Sequence, residues 1–201
     1  MEFARTYLAK LSEGLSRVDL HLFEDVANVL LDAYIHEKQV FILGNGGSAA
    51  IASHMACDLN KGTLTNVYDS QEKRFRAISL TDNLSLFSAL ANDIGYTEVF
   101  SQQLRNLVQR GDVVVAISAS GNSPNVIAAL KLAREKDART VGFVGFDGGK
   151  MKKMCDFVLH FEEKNYQRCE DAFSVFQHLL ASYIAEKKKE RDASQGSLGT
   201  C

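Results

Sequence analysis

Apolar positions change their period along this chain, and the changes mark its elements. Phe3, Tyr7, Leu8, Leu11 and Leu15 recur at helical spacing, and Leu22, Phe23, Val26, Val29, Leu30 and Tyr34 do so again, which predicts two N-terminal helices. The period then shortens. Gln39-Val40-Phe41-Ile42-Leu43 is an apolar run ended by Gly44, the mark of a buried strand. Similar runs at 75–80, 113–117, 140–144 and 157–161 predict further strands. Helical patterns separate them at 49–60, 84–92, 98–108 and 125–135, and a last helix begins near Tyr166.

Strand–helix alternation implies right-handed crossovers and predicts an α/β fold. The expected architecture is a three-layer, mostly parallel, five-stranded doubly wound sheet preceded by helices. The length of 201 residues fits one domain, read as 1–190 with a helical N-terminal segment over 1–37. The polar, Gly- and Ser-containing end, 191–201, buries little apolar surface and reads as a flexible tail. Cys201 within it reads as an exposed thiol.

Composition acts mainly by exclusion. Lys and Arg number 23 against 25 Asp and Glu, a formal net charge of −2, so nothing marks a basic surface for nucleic acid. No apolar run is long enough to span a bilayer, and Met1-Glu2-Phe3-Ala4-Arg5 lacks the layout of a signal peptide. The four cysteines, Cys57, Cys155, Cys169 and Cys201, show no paired spacing, which suits a reducing compartment. A soluble cytoplasmic protein with neither a membrane nor a nucleic-acid partner is expected.

In a doubly wound sheet, ligands bind beyond the carboxyl ends of the strands. After the first strand stands Gly44-Asn45-Gly46-Gly47-Ser48. Its glycines permit a sharp turn and close approach to a ligand, and the next helix offers free N–H groups. Asn45 and Ser48 add side-chain hydrogen bonds suited to sugar hydroxyls or phosphate. The spacing is not G-x-G-x-x-G, which disfavours a dinucleotide; a plain strand–helix turn is the other reading. After the third strand stands Ser118-Ala119-Ser120-Gly121-Asn122-Ser123-Pro124-Asn125. Pro124 suits a first helical turn, and Ser123 or Asn122 would suffice as its cap. The surplus of serines favours a phosphate, aided by the helix dipole.

Two polar pairs stand out on helices. His54 and Asp58 are four apart and share a face, facing either solvent or a site. Glu170, Ser174 and His178 form a row on the last helix beside Phe173, Phe176 and Leu180. Glu170 and His178 stand about 12 Å apart along the axis, so a shared role requires both to reach inward to a common point. Spacing alone equally fits core or surface residues.

The two loops resemble the signature loops of the sugar isomerase (SIS) domain family and, more narrowly, those of the phosphoheptose isomerases. The likeness runs from about residue 20 to residue 188. It includes Ser79-Leu80-Thr81-Asp82, Ala91-Asn92-Asp93-Ile94-Gly95 and Asp147-Gly148-Gly149-Lys150-Met151. It implies an aldose–ketose isomerase that converts sedoheptulose 7-phosphate to D-glycero-D-manno-heptose 7-phosphate or a close relative. The family positions fall on His54, Asp58, Glu170 and His178 as zinc site, with Asp58 and His178 as the acid–base pair. Substrate contacts fall on Asn45, Gly46, Gly47, Ser48, Asn92, Asp93, Ser118, Ala119, Ser120, Ser123 and Glu170. A homotetramer with sites between subunits is also implied. Asp58 stands where the family has a Glu and Glu170 where it has a Gln; Lys61 stands near an expected Arg and is a candidate to meet the anion.

The chemistry needs such a set. Moving a carbonyl between adjacent carbons takes a proton off one and returns it to the other through an enediol, work suited to a carboxylate and an imidazole. The alternative is a non-catalytic sugar-phosphate-sensing relative, similar to the protein that assembles the replication initiator. Its expected mark is loss of the catalytic pair with the loops kept.

Overall fold

The apolar run after the N-terminal helices forms the second strand of a parallel sheet. A computed structural model describes residues 1–196, the side chains of 192–196 excepted. Among them, β1 (Gln39–Gly44), β2 (Arg76–Ser79), β3 (Val113–Ser118), β4 (Arg139–Val144) and β5 (Phe157–His160) pair in parallel, in the order β2-β1-β3-β4-β5. In this order the direction of winding reverses between β1 and β3, which opens a crevice beyond their carboxyl ends.

Alternate residues of each central strand serve opposite layers. Val40, Ile42, Val113, Val115 and Phe143 face α2 (Leu20–Ile35), α3 (Gly47–Cys57) and α8 (Tyr166–Gly196). Phe41, Leu43, Val114, Ala116 and Val144 face α5 (Val99–Leu107), α6 (Pro124–Glu135) and the short α7 (Met151–Met154). Both faces being covered explains why these strands read as continuous apolar runs. The two remaining helices are α1 (Glu2–Ser16) and α4 (Leu84–Asp93). None of these helices is long and apolar enough to cross a membrane.

Helix starts follow local chemistry. The Asp19 carboxylate accepts from the His21 and Leu22 amides at the head of α2, and Asn83 does the same for Leu86 in α4. Asn165 accepts from the Arg168 amide at 2.9 Å and opens α8, a cap of the usual kind. Phe143 of β4 meets Phe176 edge-on at 5.9 Å and 88°, and Phe173 at 6.2 Å. Such pairs contribute about 0.5–1.5 kcal/mol each beyond burial, and they fix the rotation of α8 about its axis. The helix α8 continues to Gly196, so 191–196 of the expected tail are helical, whereas 197–201, Cys201 among them, lie outside the described residues.

Three short elements depart from the expectations. Residues 58–62 do not extend α3 as helix but form one turn of π-helix, Asp58–Gly62. A 3₁₀ turn, Tyr96–Glu98, precedes α5, and α7 follows the loop after β4. Each is too short to show a period. The π turn is held by Asn60, whose amide donates to the Ala77 carbonyl at 2.8 Å and accepts from the Ala77 N–H at 3.0 Å. The side chain thus continues the hydrogen bonding of the sheet at its β2 edge.

Candidate functional site

The crevice at the end of β1 and β3 is a cleft of about 160 Å³ lined by Asn45, Ser48, Ile117, Ser118, Ala119, Ser120, Ser123, Tyr166 and Glu170. Seven of these nine are among the contacts that the family resemblance implies; Ile117 and Tyr166 are not. Gly46 and Gly47 form the turn into α3, where Gly46 takes φ +56°, a conformation glycine adopts freely. A Cβ at Gly47 would stand 2.3 Å from Glu170 Oε2, so glycine there lets α8 bring Glu170 against the loop.

The helix ends beside the cleft differ from α2 and α4. Neither Gly46 nor Ser123 caps its helix through a side chain. The Ser123 hydroxyl lies instead 3.2 Å from that of Ser118, which sets aside the reading of the serine loop as an elaborate cap. Helix N–H groups and hydroxyls are left facing one small polar cleft, a setting that favours an anion. Asn122 ties the loop down, donating to the Ser120 carbonyl at 2.9 Å and accepting from the Lys150 N–H at 3.1 Å.

Asn45 has a further commitment. Its amide pairs reciprocally with that of Asn125, at 2.9 and 2.8 Å, and its oxygen also accepts from the Tyr96 hydroxyl at 2.9 Å. The buried Asn125 therefore locks the two loops together. Sequence reasoning missed Asn125, Tyr96 and Tyr166; no local pattern distinguishes a polar residue whose partner is distant in sequence. Asn92 and Asp93 lie outside this cleft, exposed at the end of α4 with the Asn92 amide donating to Asp93 at 2.8 Å. Lys61 is exposed on the π turn and is not part of the cleft lining.

Deeper along α3 and α8 a second group assembles. Asp58 Oδ2 stands 3.5 Å from His54 Nε2 and 3.7 Å from His178 Nε2, and the two rings meet edge-on at 4.8 Å. One ligand atom from each of the three lies within 4.8 Å of the others. Two imidazole nitrogens and a carboxylate oxygen form a donor set that suits a borderline divalent cation such as zinc.

Glu170 is not in that group. Eight residues along a helix is about 12 Å, and the row does not converge: His178 meets Asp58, while Glu170 packs on Gly47 in the serine cleft. Among the described residues its carboxylate takes no hydrogen bond. Burial holds that carboxyl above its ordinary value, and the neighbouring Asp171 charge adds to the effect.

Comparisons with known proteins agree with this architecture. The SIS domain family matches residues 6–145. The phosphoheptose isomerase of Pelobacter propionicus is 43% identical over 163 residues, covering 81% of this chain and 84% of that protein. That of Helicobacter pylori is 35% identical over 177 residues, covering 88% of each. The solved phosphoheptose isomerase of Neisseria gonorrhoeae superposes with a TM-score of 0.83 at 30% identity, over 92% of this chain and 98% of that one. The chain belongs to the SIS domain family and, within it, to the phosphoheptose isomerases.

Proposed function

We propose that the protein converts sedoheptulose 7-phosphate to D-glycero-D-manno-heptose 7-phosphate through an enediol, with Asp58 and His178 as the acid–base pair. Family membership makes it a phosphosugar isomerase; the heptose and the mechanism are the finer reading. The observation that carries it is the approach of His178 Nε2 and His54 Nε2 to one oxygen of Asp58, at 3.7 and 3.5 Å. A sugar-phosphate sensor has no use for that arrangement.

The serine cleft takes the phosphate. Hydroxyls of Ser48, Ser118, Ser120 and Ser123 and the N–H groups at the head of α3 surround the dianion, a preorganised cradle of fixed dipoles. Gly46, Gly47 and Ala119 admit it by keeping the backbone close, and Asn45 and Glu170 meet the sugar chain beyond it. His54, Asp58 and His178 would hold zinc. A cation there would supply charge stabilisation for oxygens of the reacting sugar. Asp58 and His178 move the proton between the two carbons, a contribution of about 10²–10⁴-fold.

The same reading makes the protein a cytoplasmic homotetramer, in which Asn92 and Asp93 serve a neighbouring subunit's cleft. Exposed apolar side chains on α1, Phe3 and Leu8, support a partner there. Light scattering checks it against the 22.2 kDa chain. Proton NMR of the zinc-supplemented protein with sedoheptulose 7-phosphate tests the activity. Aldose signals are expected with the unmodified protein and not with His178→Ala; no conversion by a zinc-loaded protein would favour the sensor or another sugar phosphate.

A further inference from the structure

Gln177 precedes His178 on α8 but points elsewhere. It is 1% exposed, and its Nε2 lies 3.4 Å from His54 Nδ1. Its Oε1 is the buried side-chain atom that has no hydrogen-bond partner among the described residues. A buried glutamine with an idle oxygen, set against the far nitrogen of a candidate ligand, calls for a chemical reason.

The two nitrogens of His54 supply one. Nε2 faces Asp58 and Nδ1 faces the Gln177 amide. Once Nε2 gives its lone pair to a cation, the ring proton must sit on Nδ1, and a donor there requires an acceptor. Ligating imidazoles usually donate that second N–H to a carbonyl or carboxylate, which fixes ring and tautomer. The two ends of an amide have nearly the same shape, so half a turn about the last side-chain bond brings Oε1 to Nδ1 without repacking α8.

We propose that Gln177 is a positioning residue for the metal centre, its Oε1 accepting the His54 Nδ1–H so that Nε2 stays unprotonated toward the cation. The proposal rests on the metal reading given above. It also assigns a role to a side chain that neither the cleft nor the acid–base pair uses.

Zinc affinity, measured by competition with a chromophoric chelator, tests it without reference to turnover. Gln177→Leu keeps the volume and removes the acceptor; it should weaken zinc binding about 10–100-fold. Gln177→Glu, which keeps an acceptor at that place, should restore most of the loss. In ¹H–¹⁵N spectra of the zinc-loaded unmodified protein, His54 should show a proton on Nδ1 that exchanges slowly with solvent. That signal needs no variant, so it decides the matter even where Gln177→Leu fails to fold. Unchanged affinity in a folded Gln177→Leu, or a zinc-loaded His54 without a proton on Nδ1, would overturn the proposal alone. Failure of the unmodified protein to bind zinc would overturn the metal reading and this proposal with it.

Discussion

The serine cleft and the His54–Asp58–His178 group both draw on α3 and α8, yet they are built in opposite ways. The cleft is made of loops tied to one another: Asn45 to Asn125, Ser118 to Ser123, and Asn122 to Ser120 and Lys150. Its Ser48, Ser118 and Asn125 are buried. The histidine group has its two imidazoles about half exposed, 52% for His54 and 55% for His178, over an Asp58 side chain at 23%, and its gaps of 3.5 and 3.7 Å exceed a hydrogen bond. The cleft is thus tied together by its own hydrogen bonds. The histidine group keeps space between its donors, the space that the proposed cation or migrating proton would use. In the proposed function, holding falls to the bonded cleft and reacting to the spaced group.

Removing His178 should separate the two most sharply. His178→Ala should lower turnover about 10²–10⁴-fold while the melting temperature moves little, because the side chain is half exposed. Next comes the cradle. Replacing Ser118 and Ser123 together with Ala should raise KM for the sugar phosphate by about 10–100-fold, the worth of one or two hydrogen bonds to a charged group. Turnover at saturation should change far less, and inorganic phosphate should weaken as a competitive inhibitor by a similar factor.

Asn125→Ala addresses the stiffness of the cleft itself. It breaks the reciprocal amide pair and strands Asn45, at a cost of about 1–3 kcal/mol, or roughly 3–9 °C in melting temperature for a chain of this size. The smallest effect is expected at Glu170. The folded chain binds a proton there more tightly than the unfolded one, because burial and Asp171 disfavour the charge. Stability is therefore fully present below the ordinary value of 4.5 and is lost as pH rises above it. Glu170→Gln should raise the melting temperature of metal-free protein near neutrality. That gain should fade as the pH is taken below the carboxylate range.

How much of this was legible in the sequence follows the same division. The central strands announced themselves because both faces are covered, and the serine loop because its chemistry is contiguous. The N-caps Asp19 and Asn83 are local too, though the helical patterns are placed without them. What escaped depends on distant partners. Residues 58–60 read as the end of the helix over 49–60, but Asn60 bonds to β2, and that contact belongs to the tertiary structure. Glu170 and His178 read as one row, and only the fold shows them lying apart, one in the serine cleft and one beside Asp58. Gln177 reads as a neighbour of His178, yet its amide faces His54, on another helix.

The fate of hydrogen during conversion in deuterium oxide would examine the proposed proton transfer. Half-exposed His178 and its partner Asp58 exchange with solvent, so aldose formed from sedoheptulose 7-phosphate should carry deuterium at C2, seen by NMR or mass. Aldose formed with hydrogen carried over from C1 and no deuterium at C2 would contradict transfer by this pair and point to a direct hydride shift.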